Sequence, residues 1–179
     1  MEKLKNKKIA ILATNGFEES ELFEPKKALE NAGAVVQLVS PERGRLKAWK
    51  HGKWSKEIDV DVTLDEAKEE NYDMLLLPGG VINPDKLRRN ENAINFILRF
   101  FKDKKKVAAI CHGAQTMIDA DVINGRTMTS FFSIKKDLQN AGANWIDSEV
   151  VVDDNLITSR NPGDLKAFND KIIEELGTN

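Results

Sequence analysis

A short apolar run leads straight into the only cysteine of the chain, and this junction constrains the fold more than any other feature. Residues 107–110 favour a buried strand, Cys111 and His112 follow, and after Gly113 the sequence favours a helix as far as residue 119. A strand, a tight turn with a reactive side chain and a helix form a nucleophile elbow. Such a turn lies at the carboxyl edge of a parallel sheet, where α/β folds bind their ligands. The backbone N–H groups that begin the new helix can hold an anion.

Apolar runs alternate with helical segments along the rest of the chain. Strands are expected at residues 9–13, 35–39, 59–63 and 72–77, and helices at 18–31, 64–70, 91–102 and 164–176. This alternation predicts a doubly wound, flavodoxin-like α/β sandwich with a mostly parallel central sheet. The length of 179 residues suits one domain, 1–179, whose core needs no disulfide.

Two stretches are less regular. Pro25 falls inside the first helical segment, which predicts that the helix proper starts there and that residues 18–23 form a separate turn. Residues 41–56 contain Trp49 and Trp54 on either side of a glycine, and we expect a hairpin around them.

Composition limits the classes of function. The formal net charge of −2 gives no reason to expect nucleic acid or an anionic membrane as a partner. The charged start of the chain lacks the apolar core of a signal peptide, and no apolar run approaches the length of a membrane span. A single cysteine cannot form an internal disulfide, which agrees with a reducing compartment. We therefore expect a cytoplasmic protein.

Cys111 is either a buried structural residue or a nucleophile, and its place at the end of a central strand favours the nucleophile. A free thiol has a pKa of about 8.5 and needs an activating group. The chain offers only His51 and His112 as bases. Side chains of neighbours on a tight turn usually diverge, and His51 lies in an irregular segment, so the residues give little support to a Cys-His-Asp triad.

A carboxyl group is the remaining candidate for activating the thiol. The loop after the first strand should open on the same sheet edge as Cys111, and its residues 17–21 include three glutamates. A partly desolvated glutamate there can share a proton with the thiol and stabilise the thiolate. The alternative for any one of them is an acid favoured by the helix dipole.

Several motifs in register resemble the PfpI family of intracellular cysteine peptidases and deglycases, within the class I glutamine amidotransferase-like superfamily. The resemblance covers nearly the whole chain, and the motifs that carry it are NGFEESEL at 15–22, KHG at 50–52, LPGG at 77–80, AICHG at 109–113, NAGA at 140–143, VVVD at 150–153 and ITSR at 157–160.

The resemblance implies roles for individual residues. Cys111 matches the family nucleophile, Glu18 the carboxyl that hydrogen-bonds its sulfur, and His112 the adjacent catalytic histidine. The family's oxyanion site of backbone N–H groups would fall at Gly80 and His112, with Gly79 beside them.

One further acid is implied at a distance from these residues. In the PfpI subgroup an acid after the Pro-Gly-Gly turn reaches the histidine of a neighbouring subunit, and Asp85 stands nearest to that place. The family usually has glutamate there, and the spacing in this chain is one residue longer. A helix cap is the alternative role for Asp85.

The resemblance also implies a class of reaction, with neither a cofactor nor a metal. Family members are described as peptidases, glyoxalases, deglycases and stress holdases, and they form homodimers, sometimes assembled into hexamers. We expect a cofactor-free cysteine hydrolase that acts on small carbonyl compounds and on glycated proteins or peptides, with cleavage of peptides as the near alternative. The alternative from another class is a redox-responsive chaperone or sensor with an oxidisable cysteine and little turnover.

Overall fold

The computed structural model of the chain describes residues 3–178. Residues 1, 2 and 179 of the expected domain lie outside the described part. The strands are β1 (Lys8–Leu12), β2 (Val35–Ser40), β3 (Arg45–Lys50), β4 (Lys53–Asp59), β5 (Val62–Thr63), β6 (Met74–Leu77), β7 (Lys106–Ile110), β8 (Thr127–Met128), β9 (Asn144–Trp145), β10 (Val150–Asp153) and β11 (Leu156–Ser159). The helices are α1 (Glu19–Asn31), α2 (Ile82–Leu87), α3 (Glu91–Lys102), α4 (Gln115–Asp119), α5 (Lys135–Asn140) and α6 (Leu165–Gly177).

Seven strands form one sheet in the order β10-β11-β7-β6-β1-β2-β5. Every neighbouring pair is parallel except β10 with β11, which is an antiparallel hairpin. The central strand β6 reads Met-Leu-Leu-Leu and is buried throughout, as expected for a strand covered by helices on both faces. The expected α/β sandwich with a mostly parallel sheet is confirmed.

Apolar side chains pack on both faces of this sheet. On one face α3 contributes Phe96 and Phe100 to a cluster that also includes residues of α4 and α5. On the other face Leu22 and Leu29 of α1 join Phe168 of α6. The apolar stripe of α3, which follows helical spacing in the sequence, accordingly faces the core.

The parallel strands β1, β6 and β7 bring three loops to one edge of the sheet. The loop after β1 and the loop after β6 touch, since the Glu18 N–H donates to the Gly79 carbonyl at 3.3 Å. The turn after β7 lies beside them, because a side chain on Gly79 would meet the Cys111 Cβ at 2.8 Å. The carboxyl ends of the three central strands therefore form the candidate site.

The expected hairpin around the tryptophans is present as β3 and β4. Trp49 and Trp54 are cross-strand partners, and their rings meet edge to face with centroids 5.1 Å apart. The Trp49 N–H donates to the Phe17 carbonyl at 2.8 Å, while Lys50 and Lys56 pair with Glu19 at 3.0 and 3.4 Å. These contacts hold the hairpin against the loop after β1 and the start of α1.

Three local expectations were wrong. The strand expected at residues 59–63 is divided, because Asp59 ends β4 of the hairpin and only Val62–Thr63 join the main sheet as β5. The helix α1 runs through Pro25 without a break. Proline removes one N–H, and Leu22 and Leu29 pack on the sheet on both sides of it, so tertiary contacts keep one helix. Residues 64–70 do not form a helix, and only a 3-10 turn over Glu69–Asn71 is present. This polar stretch offers Leu64 alone as a fully buried apolar anchor, which is too little to stabilise a short helix.

We predict that Phe100→Ala lowers the free energy of unfolding by about 3–5 kcal/mol, because the ring is fully buried and its removal leaves a cavity. Urea denaturation followed by circular dichroism measures the change. Phe132→Ala is the matched control, since that ring is 72% exposed and its loss should change stability by less than about 0.5 kcal/mol. Equal effects of the two substitutions would contradict this packing.

Candidate active site

Cys111 occupies a strained turn directly after β7. Its φ of +61° lies in the left-handed region, which is unusual for a residue other than glycine, and residues Cys111–Ala114 form a 3-10 turn that leads into α4. Gly113 has no room for a side chain, because a Cβ there would collide with the Leu77 carbonyl oxygen. This strand–turn–helix geometry is that of a nucleophile elbow.

The carboxyl group beside the sulfur belongs to Glu21, in the first turn of α1. Glu21 is fully buried, and its Oε2 accepts a hydrogen bond from the Gly79 N–H at 2.8 Å. The carboxyl lies beside the Cys111 side chain, since a Cβ on Gly79 would meet both the Glu21 Oε2 and, at 2.8 Å, the Cys111 Cβ. Its other oxygen, Oε1, is buried without a nitrogen or oxygen partner among the described residues, so it is free to carry a proton.

Burial raises the pKa of Glu21 to about 8, against an ordinary value of 4.5. Hydrogen bonds from Cys111 and Gly79 oppose this rise and only partly offset it. At neutral pH Glu21 is therefore mostly a carboxylic acid, which can donate its O–H to the sulfur.

The Cys111 thiol lies against this acid and is only 7% exposed. Burial raises its pKa, and a negative charge on Glu21 would raise it further, so the two groups do not ionise together. The backbone N–H groups of His112 and Gly80 face the thiol and lower its pKa. The site thus holds at most one negative charge and surrounds the sulfur with donors.

Glu18, the residue expected to bond the sulfur, does not have that position. It precedes α1 as the N-cap residue and is half-buried. Burial raises its pKa, and the charges that act on it come mainly from His51, Glu19 and Lys50. It lies three positions before Glu21, almost one helical turn, so the sequence reasoning chose the correct loop and the wrong glutamate.

His112 faces the sulfur although it is the next residue in the chain. Its Nδ1 lies 3.3 Å from the Cys111 Sγ, and its Nε2 lies 3.1 Å from the Ser133 Oγ. The ring stacks on Phe131 with centroids 5.0 Å apart. The expectation that neighbouring side chains diverge was wrong here, because the positive φ of Cys111 changes the direction of the chain between them. Burial lowers the pKa of His112, so the imidazole is neutral at neutral pH.

The expected oxyanion donors divide into two groups. The N–H groups of Gly80 and His112 act on the thiol, so they are the candidates to stabilise an oxyanion on a carbon bonded to the sulfur. The Gly80 N–H also acts on the Glu21 carboxyl. The Gly79 N–H is not available for this role, because it donates to Glu21 Oε2. Gly79 instead allows the acid to approach the thiol, since a side chain there would collide with Glu21.

Asp85 and His51 lie outside this cluster. Asp85 is exposed in the first turn of α2, and its carboxylate faces Arg89 at 3.6 Å. Both nitrogens of His112 have other neighbours in the same subunit, and the expected role of Asp85 in the site of a second subunit stays a prediction. His51 occupies the turn of the hairpin, near Glu18.

Sequence reasoning missed Glu21 and Ser133 as neighbours of the nucleophile. Glu21 carried a signal, because it stands next to Leu22 on a helix that packs on the sheet. Ser133 carried none, since the segment after β8 could not be placed against His112 from its residues alone.

Among residues 3–178 no group of three or more His, Cys, Asp and Glu side chains is arranged to hold a metal ion. No helix in the same residues is long and apolar enough to cross a bilayer.

Known proteins resemble this chain in sequence and in fold. A family model described as the DJ-1/PfpI family matches residues 7–175. A Bacillus subtilis protein named "Putative cysteine protease YraA" is 44% identical over 164 residues, covering 92% of this chain and 95% of the relative. General stress protein 18 of the same organism is also 44% identical over 164 residues, covering 91% and 94%.

A solved structure agrees with these matches. A two-domain protein of Anabaena variabilis with DJ-1/ThiJ/PfpI-like and ferritin-like domains superposes with a TM-score of 0.91 at 40% identity, over 96% of this chain and 48% of that one. The family resemblance read from the motifs is confirmed, and the chain belongs to the DJ-1/PfpI family.

Proposed function

We propose that the protein is a cofactor-free cysteine hydrolase that acts on products of carbonyl stress, with a deglycase or glyoxalase type of activity. The observation that carries the proposal is a cysteine at φ +61° whose sulfur lies beside a buried acid and 3.3 Å from the His112 Nδ1. A thiol held in this way is suited to attack an electron-poor carbonyl carbon and to stabilise the oxyanion that forms.

The chain supplies a base and an acid for such an attack. In the proposed reaction with methylglyoxal, the Cys111 sulfur bonds to the aldehyde carbon while neutral His112 takes the thiol proton at Nδ1. That proton then passes to the aldehyde oxygen, and a hemithioacetal results. The Glu21 O–H donates to the sulfur while its negative charge develops.

The remaining steps balance without an added oxidant or reductant. A proton moves from the former aldehyde carbon to the ketone carbon through an enediol, so the first carbon is oxidised and the second is reduced. The product is a thioester of lactate, and water cleaves it to lactate and the free thiol. In amine adducts of methylglyoxal the former aldehyde carbon has the same oxidation level as in methylglyoxal itself. The proposed substrates therefore include glycated proteins and peptides.

The names of two relatives agree with parts of this proposal. One relative is named as a cysteine protease and another as a general stress protein. Peptide cleavage is the near alternative, because the same sulfur could form an acyl thioester with a peptide. The proposal further includes action in the cytoplasm and a homodimer, with hexamers as a possible larger assembly and Asp85 facing the His112 of a second subunit.

A redox-responsive chaperone or sensor is the second candidate. The observation that favours it is that Glu21 and two N–H groups surround the sulfur, and these donors would also hold the oxygens of a sulfinic acid. Mild peroxide would then add two oxygens to Cys111 with little turnover of aldehydes.

We predict that Cys111→Ser abolishes lactate release from methylglyoxal and from glycated peptides. Glu21→Ala should slow release about 100-fold, as expected for the loss of one donor at a developing charge. Glu21→Gln should retain part of the rate, since an amide N–H can replace the acid as donor. Lactate is measured enzymatically against time.

The matched control is Glu18→Gln, on the same loop, which should keep most of the rate. Lactate release that is equal in wild type and Cys111→Ser would end the hydrolase proposal. Equal losses in Glu21→Gln and Glu21→Ala would show that Glu21 acts by accepting the proton and not by donating one.

The protonated state of Glu21 has a consequence for stability. Below pH 4.5 the acid is protonated in both the folded and the unfolded chain, and between 4.5 and about 8 only the unfolded chain loses its proton. This group therefore stabilises the fold most at low pH, and its contribution is lost as pH rises toward 8.

We predict that Glu21→Gln becomes more stable relative to wild type as pH rises from 4.5 to about 8, as measured by urea denaturation. Glu24→Gln, at an exposed position of α1, should not reproduce the change; a constant difference between Glu21→Gln and wild type would contradict the prediction.

A further inference from the structure

The imidazole of His112 has a partner at each nitrogen, and only one of them belongs to the mechanism above. Nδ1 faces the Cys111 sulfur at 3.3 Å, and Nε2 faces the Ser133 hydroxyl at 3.1 Å. Cys111, His112 and Ser133 therefore form a line of hydrogen-bonding groups within one subunit. In this line Ser133 occupies the place that an orienting acid has in a catalytic triad.

The segment that carries Ser133 is fixed to the catalytic turn by its neighbours. The Phe131 N–H donates to the Cys111 carbonyl at 3.3 Å, and the Phe131 ring stacks on the imidazole. Ser130 accepts a hydrogen bond from the Trp145 indole at 3.0 Å. Three independent contacts thus set the position of the Ser133 hydroxyl relative to His112.

The neighbours of the two ring nitrogens favour one tautomer of His112. A neutral imidazole has one N–H donor and one acceptor nitrogen. The Cys111 thiol needs an acceptor for its proton when it reacts, and the His112 Nδ1 faces the sulfur at 3.3 Å. Nδ1 supplies that acceptor only if the proton of the imidazole is on Nε2, where the Ser133 oxygen can accept it.

We propose that Ser133 is a positioning residue that fixes His112 in the Nε2–H tautomer and leaves Nδ1 to take the proton of Cys111. The proposal rests on the role given to His112 in the proposed function. It is an alternative to orientation by Asp85 of a second subunit, because Ser133 comes from the same chain as His112. It concerns the activation of the thiol and is independent of the substrate that the thiol attacks.

Two measurements test the proposal near neutral pH. Long-range ¹H–¹⁵N correlation spectra report the protonation of each ring nitrogen of His112, and the rate of iodoacetamide alkylation reports the reactivity of Cys111. We expect a protonated Nε2 in wild type, a mixture of tautomers in Ser133→Ala, and alkylation about tenfold slower in that variant, a part of what general base catalysis contributes. Ser133→Thr keeps the hydroxyl and should restore both.

Two controls separate this role from disturbance of the segment. Lys136→Ala changes an exposed residue nearby in α5, and Ser148→Ala removes a hydroxyl that bonds the Val150 carbonyl elsewhere; both should match wild type in these measurements. A protonated Nδ1 in wild type, or unchanged alkylation in Ser133→Ala, would overturn the proposal. Neither measurement uses an aldehyde or peptide substrate, so a failure of the proposed hydrolase activity would be seen separately.

Discussion

The contact between a buried carboxyl group and a buried thiol determines how the rest of the site is built. Glu21 and Cys111 lie where neither group can be ionised freely, because burial raises the pKa of both. The gain or loss of one proton therefore changes the charge of the pair and the group that can donate a hydrogen bond. Gly79 lacks a side chain at the point where the two groups meet, and its N–H holds the carboxyl in place. The acid can then support charge on the sulfur without bringing a charge of its own.

The parallel sheet brings these groups together from distant parts of the sequence. Glu21 follows β1, the glycines follow β6, and Cys111 follows β7, and these three strands are neighbours in the sheet. The positive φ of Cys111 turns the sulfur toward the loops and places His112 beside it. Such strain persists only when the surrounding packing enforces it, and the buried ends of strands β6 and β7 lie directly at this edge.

The sequence predicted the architecture because alternating apolar runs and helical segments have few ways to pack. It predicted the position of Cys111 because a small residue and a helix follow a buried strand. The choice between Glu18 and Glu21 depended on the helix phase at the start of α1, which a boundary error of a few residues obscures. The short distance between His112 and the sulfur depended on one backbone dihedral, the φ of Cys111. The contact of Ser133 depended on how the turn before α5 packs against the catalytic turn, which only tertiary packing determines.

The most direct test of the central claim is the titration of the Glu21 side-chain carboxyl by ¹³C NMR, with the resonance assigned by its loss in Glu21→Gln. The account predicts a midpoint near pH 8, so that the group is a carboxylic acid at neutral pH. A midpoint close to the ordinary value of 4.5 would contradict it, because a carboxylate could not donate a hydrogen bond to the sulfur of Cys111.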